Sequence, residues 1–407
     1  MAHATSTNRS RVSALFVLTN NAPLLLDATR LIWRRWKGRL PTGIDRVCLA
    51  YLRHFGDRAQ AVVQHERFRR VLDRSASSEL FALLDGSPNG FRWKLPLSAL
   101  RHLPATNCAG RDRLYLNIGH TGLDKPGFRE WTRRSGVRPI FLVHDLIPIT
   151  HPEFCRAGEA ERHRERMRTV LMTAAGVIGN SRATLDALAD FARAESLPNP
   201  PSLVAWLGGD PLPNPNSAAG PERPTFVVLG TIEARKNHAL LLDIWARLID
   251  RMGDRAPRLL IVGQRGWEAE HIFERLENDR KLRGHIEEIG RCTDQELANH
   301  LVGARALLFP SFIEGYGLPL VEAMGLAVPV IASDLPVFRE IGGDIPHYLD
   351  PRDEGAWESA ILDYAKVDSV ARDAQLKRMK GYRAPSWEGH FDRVEAWLSS
   401  LGAPAST

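Results

Sequence analysis

Phe226-Val-Val-Leu-Gly-Thr-Ile-Glu-Ala-Arg-Lys-Asn-His238 begins as an apolar, β-branched run, breaks at Gly230, and sets two cations, Arg235 and Lys236, ahead of a long helical stretch. A buried strand, a glycine turn and a cation before a helix is how α/β folds present anion sites. Outward from it, Arg258-Leu-Leu-Ile-Val-Gly263 reads as a second buried strand with a glycine stop. Ala304-Arg-Ala-Leu-Leu-Phe-Pro-Ser311 reads as a third, and Val328-Pro-Val-Ile-Ala-Ser-Asp334 as a fourth that ends in small polar residues. Each is followed by a helical pattern, so the segment predicts a parallel sheet whose loops collect at one edge.

The third strand runs into Glu314-Gly-Tyr-Gly-Leu-Pro-Leu-Val-Glu-Ala323, which carries two carboxylates, Glu314 and Glu322, eight positions apart. Alone, such a pair also describes a surface turn leading into an ordinary helix. Downstream of Arg235 and Lys236 it reads as a pocket wall: carboxylates accept sugar and ribose hydroxyls, and glycines let backbone amides approach a phosphate. Gly317 and Leu318 open the helix, so their amides and its dipole can face that phosphate. A glycosidase pair would flank one scissile bond at roughly 5–10 Å; here the second glutamate lies within the helix, behind the phosphate-binding residues.

With these residues in place, the chain resembles family 4 retaining glycosyltransferases of the GT-B fold. Residues 230–340 carry the resemblance, through Arg-Lys-Asn, Pro-Ser-x-x-Glu-Gly-Tyr-Gly-Leu-Pro and the second glutamate followed by Ala-Met-Gly. The resemblance implies an α/β fold of two Rossmann-like doubly wound domains facing across a cleft. It implies that Glu314 accepts from donor-sugar hydroxyls and Glu322 from the ribose, while Arg235, Lys236, Gly315, Tyr316, Gly317 and Leu318 hold the rest of a nucleotide-sugar donor. His144, in Val-His-Asp-Leu-Ile-Pro, matches a family histidine facing the reacting sugar, and Gly43, in Thr-Gly-Ile, matches a loop that closes over the donor. The wording around Lys236 and His144 is similar to mannosyltransferases of bacterial surface polysaccharide assembly, which suggests GDP-mannose. Two positions depart from the pattern: Thr231 stands where many members have Arg, and Tyr316 where Phe is commoner. The absence of an Asp-x-Asp element at a strand end argues against a metal-dependent GT-A enzyme, so no metal or cofactor is expected.

Length and composition agree with this. A chain of 407 residues suits two domains rather than one core, and 44% hydrophobic with 25% charged residues is ordinary for a globular protein. The four cysteines form no C-x-x-C pair, which indicates neither a zinc site nor a disulfide framework and favours a reducing compartment. No apolar run reaches the roughly 20 residues of a spanning helix. Val12 to Leu18 fits a first strand better than a secretion signal. The expected location is the cytoplasm, with a peripheral place on the inner face of the membrane if a basic surface binds there.

Charge is unevenly spread. Residues 1–212 hold 31 Arg or Lys against 19 Asp or Glu, a net +12, and the remainder holds 23 against 29, a net −6. The basic half suggests an anionic partner. Arg30-Leu-Ile-Trp-Arg-Arg-Trp-Lys-Gly-Arg39 concentrates the pattern, so Arg34, Arg35 and Lys37 are expected at an acceptor or membrane surface. Glu161-Arg-His-Arg-Glu-Arg-Met-Arg168 is a second basic run whose glutamates can pair locally. A solvated helix face would account for either.

The N-terminal half also alternates strands (residues 24–27, 113–118, 139–145 and 176–181) with helices (44–55 and 182–194). Asn180-Ser181 ends one strand as a weaker site candidate. The proline-rich residues 198–224 read as an irregular interdomain linker. The expected organisation is 1–212 as an acceptor-binding domain, 213–384 as a donor domain, and 385–407 as a helix, entered at Trp387, that crosses back. The partners that follow are a nucleotide-sugar donor and a lipid-linked or polysaccharide acceptor. Another GT-B enzyme, such as a nucleotide-sugar epimerase, and a non-enzymatic basic module binding membrane or, less readily, nucleic acid remain alternatives.

Overall fold

The computed structural model describes residues 23–38, 42–86, 91–92, 94–95, 110–209, 212–214 and 223–402. Val12 to Leu18 lies outside them. The chain divides into two compact units, Met1–Phe141 and Leu142–Thr407.

Among the described residues seven strands make the first sheet: β1 (Leu24–Asp27), β2 (Ala59–His65), β3 (Phe68–Val71), β4 (Leu114–Asn117), β5 (Arg138–Val143), β6 (Gly176–Gly179) and β7 (Ser202–Val204), in the order β3-β2-β1-β4-β5-β6-β7. β3 runs antiparallel to β2, whereas β1 is parallel to both β2 and β4. The near-continuous burial of β1, β4 and β5 follows from helices covering both faces of a parallel sheet. β2 and β3 were not read from the sequence. Nor was β7, which lies within the stretch expected to be irregular: Pro200 and Pro201 end just before it, and Ser202–Val204 pair in parallel with β6.

The second sheet is wholly parallel: β8 (Thr225–Leu229), β9 (Arg258–Val262), β10 (Ile286–Ile289), β11 (Ala306–Phe309), β12 (Val330–Ser333) and β13 (His347–Leu349), in the order β10-β9-β8-β11-β12-β13. Strand order reverses beside β8, as in Rossmann-like folds, so the loops after β8 and β11 meet at the carboxyl edge. β10, with the sequence Ile-Glu-Glu-Ile, and the three-residue β13 lack the apolar run that marked the other four. Trp245 and Trp357 are fully buried in this unit's core, and each indole N–H donates to a carbonyl, of Pro257 and Asp350 respectively, at 2.9 Å.

The last helix, Trp387–Gly402, lays Trp397 on Gly176 of β6. Gly209 N–H donates to Pro385 O at 3.2 Å, and the His390 ring donates to Trp206 O at 3.0 Å, which ties the helix start to the segment after β7.

Candidate functional site

After β8 the chain makes a short 3-10 turn, Ala234–Lys236, then passes through Asn237 in the left-handed region into helix His238–Met252. The turn directs Arg235 and Lys236 at the loop after β11, some 78 residues on. Lys236 Nζ lies 2.5 Å from Glu314 Oε1, and an Arg235 Nη lies 2.7 Å from Glu314 Oε2. Ser311 Oγ donates to Glu314 Oε1 at 2.8 Å, and Arg235 also pairs with Glu233 at 2.6 Å. The Lys236 ammonium stands 4.7 Å over the Phe309 ring. Two cations and two carboxylates thus form one cluster at the carboxyl ends of β8 and β11, and all but Arg235 are nearly excluded from water.

Burial alone would push the Glu314 carboxyl up; Arg235 and Lys236 outweigh it and hold it at about 2. Burial pushes Glu233 up, because its share of positive charge is smaller. Arg235 is held more firmly protonated than usual: burial opposes its charge, and Glu314 and Glu233 overcome that.

Glu314, expected to meet a sugar, therefore has its carboxylate on the two cations expected to meet a diphosphate. Next in the loop, a Cβ on Gly315 would come within 2.3 Å of His144 O, so only glycine allows this approach to the end of β5. The same His144 carbonyl accepts from Asn180 Nδ2 at 2.8 Å, and Gly315 O accepts from Ser181 Oγ at 3.1 Å and Thr184 Oγ1 at 3.2 Å. The residues expected at His144, Asn180, Ser181 and Gly315 are thus brought together. Tyr316 is buried and donates to Leu207 O at 2.7 Å, which points its hydroxyl at the segment after β7.

Gly317 caps the helix Leu318–Gly325 at φ +126°, with Phe338 filling the space a side chain would need. Leu318 is its first residue, as expected, and Pro319 removes one of the N–H groups a helix start leaves unpaired. Glu322 sits on the buried side of this helix.

The other expected residues lie in the first unit. Gly43 is the first residue of helix Gly43–Phe55, behind a capping box in which Thr42 N–H donates to Asp45 at 2.7 Å. Buried Asp45 also takes ion pairs from Arg30 at 2.7 Å and Arg34 at 2.8 Å. Arg35 donates to Leu84 O and Gly86 O, both at 2.8 Å, and the Lys37 ammonium lies 6.0 Å from the Trp33 ring. Of the three cations expected at an acceptor or membrane surface, Arg34 and Arg35 are thus engaged within the unit. In the second run, Arg162 and Arg166 pair with Glu159, and Arg168 pairs with Glu161 and Glu195.

Sequence reasoning passed over Glu233, although it stands in the quoted turn, and Ser311. It also passed over His238, which is buried and has neither ring nitrogen hydrogen-bonded among the described residues; burial and then Lys236 push it down to about 3. Glu340 was missed as well: its carboxylate accepts from the N–H of Arg182 at 2.8 Å, at the start of helix Arg182–Ala194, and from Trp206 Nε1 at 2.7 Å. A carboxylate at a helix start is favourable for the reason an anion is, but nothing in the local sequence marks Glu340.

Residues 223–366 match the family described as Glycosyl transferases group 1. The serotype-specific mannosyltransferase WbdA of Escherichia coli is 30% identical over 240 residues, which cover 53% of this chain and 28% of that protein. The O-antigen chain mannosyltransferase B of Escherichia coli is 34% identical over 160 residues, 39% of this chain and 42% of its own length. The chain thus spans less than half the length of either relative. HepE of Anabaena, solved in complex with UDP, superposes with a TM-score of 0.62 at 17% identity, covering 93% of this chain and 99% of that one. The expected fold is borne out: two α/β parts with Rossmann-like parallel sheets, as in GT-B glycosyltransferases. The resemblance of the sequence to glycosyltransferases, and to mannosyltransferases among them, is borne out too. Among the described residues no helix is long and apolar enough to cross a membrane.

Proposed function

We propose that the protein is a retaining, metal-independent hexosyltransferase that moves mannose from GDP-mannose to a hydroxyl of a lipid-linked or polysaccharide acceptor. The observation that carries this reading is the Arg235, Lys236 and Glu314 cluster at the carboxyl ends of β8 and β11, beside the helix start at Gly317. Breaking the anomeric C–O bond leaves a diphosphate whose growing negative charge needs preorganised cations and amides. Lys236 and Arg235 supply the cations, and the amides at Gly317 and Leu318 add to them. Arg grips phosphate as a fork and Lys as a point charge, so the two are not interchangeable.

In this reading Glu314 leaves part of its ion pairing to accept from sugar hydroxyls, Glu322 accepts from the ribose, and His144 faces the reacting sugar. The acceptor oxygen bonds to the anomeric carbon on the face from which the diphosphate departs, and its proton passes to the leaving phosphate oxygen. The names of WbdA and of the O-antigen chain mannosyltransferase favour mannose, hence GDP-mannose.

Ligand binding stabilises a fold by mass action, so a thermal-shift series over GDP-mannose, UDP-glucose and UDP-N-acetylglucosamine, with and without a metal chelator, tests the donor. GDP-mannose should give the largest rise, insensitive to chelator and lost in Lys236→Ala. A larger rise with a UDP-sugar would overturn the donor, and no rise with any nucleotide sugar would overturn the transferase reading. The anomeric configuration of the product, read by NMR, decides retention.

A further inference from the structure

We propose that the crevice at the carboxyl ends of β1 and β4 binds a saccharide, with one sugar ring against Trp33 and an anionic group of the same molecule against Lys37 and Arg92. This rests on the transferase reading and names the class of acceptor.

Strand order in the first unit reverses beside β1, which has β2 on one side and β4 on the other. In open α/β sheets ligands occupy the crevice at such a reversal. A cavity of about 170 Å³ opens there, lined by Trp33, Gln64, His65, Glu66, Thr121 and Lys125 among others. Gln64, which lines it, belongs to a locked polar network. Asp27 accepts from Tyr115 OH at 2.7 Å and from Gln64, Arg69 donates to Gln64 Oε1 at 3.0 Å, and Asn117 donates to Tyr115 OH at 3.1 Å. That network holds Gln64 in place before a ligand arrives.

Those walls carry what a sugar ring needs. Trp33 is 41% exposed and offers an apolar ring face, held at 5.5 Å from His65. Thr121, Glu66 and Lys125 offer a hydroxyl and charged partners at the rim. The cavity suits one ring rather than a chain of them. Trp33 also lines a wider neighbouring cavity of about 530 Å³ with Trp36, Lys37 and Arg92. Arg92 Nε donates to Trp36 O at 2.7 Å, which fixes the guanidinium beside the indole. Among the described residues that line it, this second space holds two cations and no carboxylate, so it fits an anionic group such as a phosphate. Glu66 pairs with Lys125 at 3.0 Å on the rim of the smaller cavity, so that rim adds no net charge to attract an anionic bilayer, and the recessed space favours a molecule that enters it.

Ligand-observed saturation-transfer NMR on the full chain tests this with α-linked mannotriose, with mannotriose 1-phosphate, and with phosphatidylglycerol vesicles as a competing surface. The wild type should bind both saccharides, the phosphate more tightly. Trp33→Ala should weaken both at least tenfold, Trp33→Phe should restore most of the loss, and Lys37→Ala with Arg92→Ala should erase only the preference for the phosphate. Phe68→Ala, an exposed aromatic on β3, should bind as the wild type does. Circular dichroism checks that each variant folds, and Trp33→Phe carries the test if Trp33→Ala does not. Saccharide binding untouched by the Trp33 substitutions overturns the proposal, as does vesicle binding without saccharide binding. A chain that binds a nucleotide sugar but neither saccharide overturns this site and leaves the transferase reading standing; saccharide binding at Trp33 without any nucleotide-sugar binding does the reverse.

Discussion

Lys236→Met removes one charge from the buried cluster and keeps most of the side-chain volume. In an effective dielectric of about 20, unit charges at the 2.5 Å separation of Lys236 and Glu314 attract by roughly 6–7 kcal/mol, and withdrawing both ions from water offsets much of that. Breaking a buried pair by deleting one partner costs about 3–5 kcal/mol when the other is left alone. Glu314 would keep Arg235 at 2.7 Å and Ser311 at 2.8 Å, so the expected loss is lower, about 2–4 kcal/mol. For a unit of this size that is a fall in melting temperature of roughly 5–15 °C. Lys236→Met combined with Glu314→Gln leaves Arg235 facing Glu233 and no stranded carboxylate. The double variant should therefore regain most of the stability, with a coupling of about 2–4 kcal/mol, while nucleotide-sugar affinity stays low in both. Urea denaturation gives the coupling and calorimetry the affinity. Losses that add within about 0.5 kcal/mol would refute the pairing, and full donor affinity in Lys236→Met would take Lys236 out of the site.

Gly315→Ala forces a methyl group to 2.3 Å from His144 O; it should cost about 1–3 kcal/mol, read as a lower urea midpoint, and an unchanged midpoint would contradict that packing. Tyr316→Phe strands the buried carbonyl of Leu207 and should cost about 1–2 kcal/mol, measured by thermal denaturation. His238 is held at about 3 against an ordinary 6.5, so its contribution is complete above pH 6.5 and is lost as the pH falls through that window. Glu314, held at about 2 against 4.5, loses its contribution only below pH 4.5. His238→Leu should therefore flatten the stability profile between pH 6.5 and 4.5 by up to about 3 kcal/mol; a profile parallel to the wild type would show that His238 is not the buried neutral base.

Much of the fold was legible. β8, β9, β11 and β12 are short apolar runs ended by glycine or small polar residues, and helix Arg182–Ala194 was read with its bounds intact. β2 and β3 were missed because polar and charged residues interrupt them, in Ala-Gln-Ala-Val-Val-Gln-His and Phe-Arg-Arg-Val. β7 was missed because the prolines on either side of three residues outweighed their pairing with β6. In the site, Arg235, Lys236, Glu314 and Gly317 were each marked by residue type beside a strand end. Glu340 was not: it is one charge on a short helix, and its meaning comes from the amides of Arg182 and Ala183, more than 150 residues earlier.

By itself the sequence determined which segments become strands and helices, where the glycine turns fall, and that cations and carboxylates would gather at one sheet edge. Tertiary structure alone decided who meets whom: Glu314 lies on Lys236 and Arg235, Gly315 lies under the His144 carbonyl, and Arg34 is drawn to Asp45. Periodicity and turn chemistry act over a few residues. Strand order brings together groups tens to hundreds of residues apart, and at ion-pair distances a few ångströms separate a solvated charge from one held by its partner.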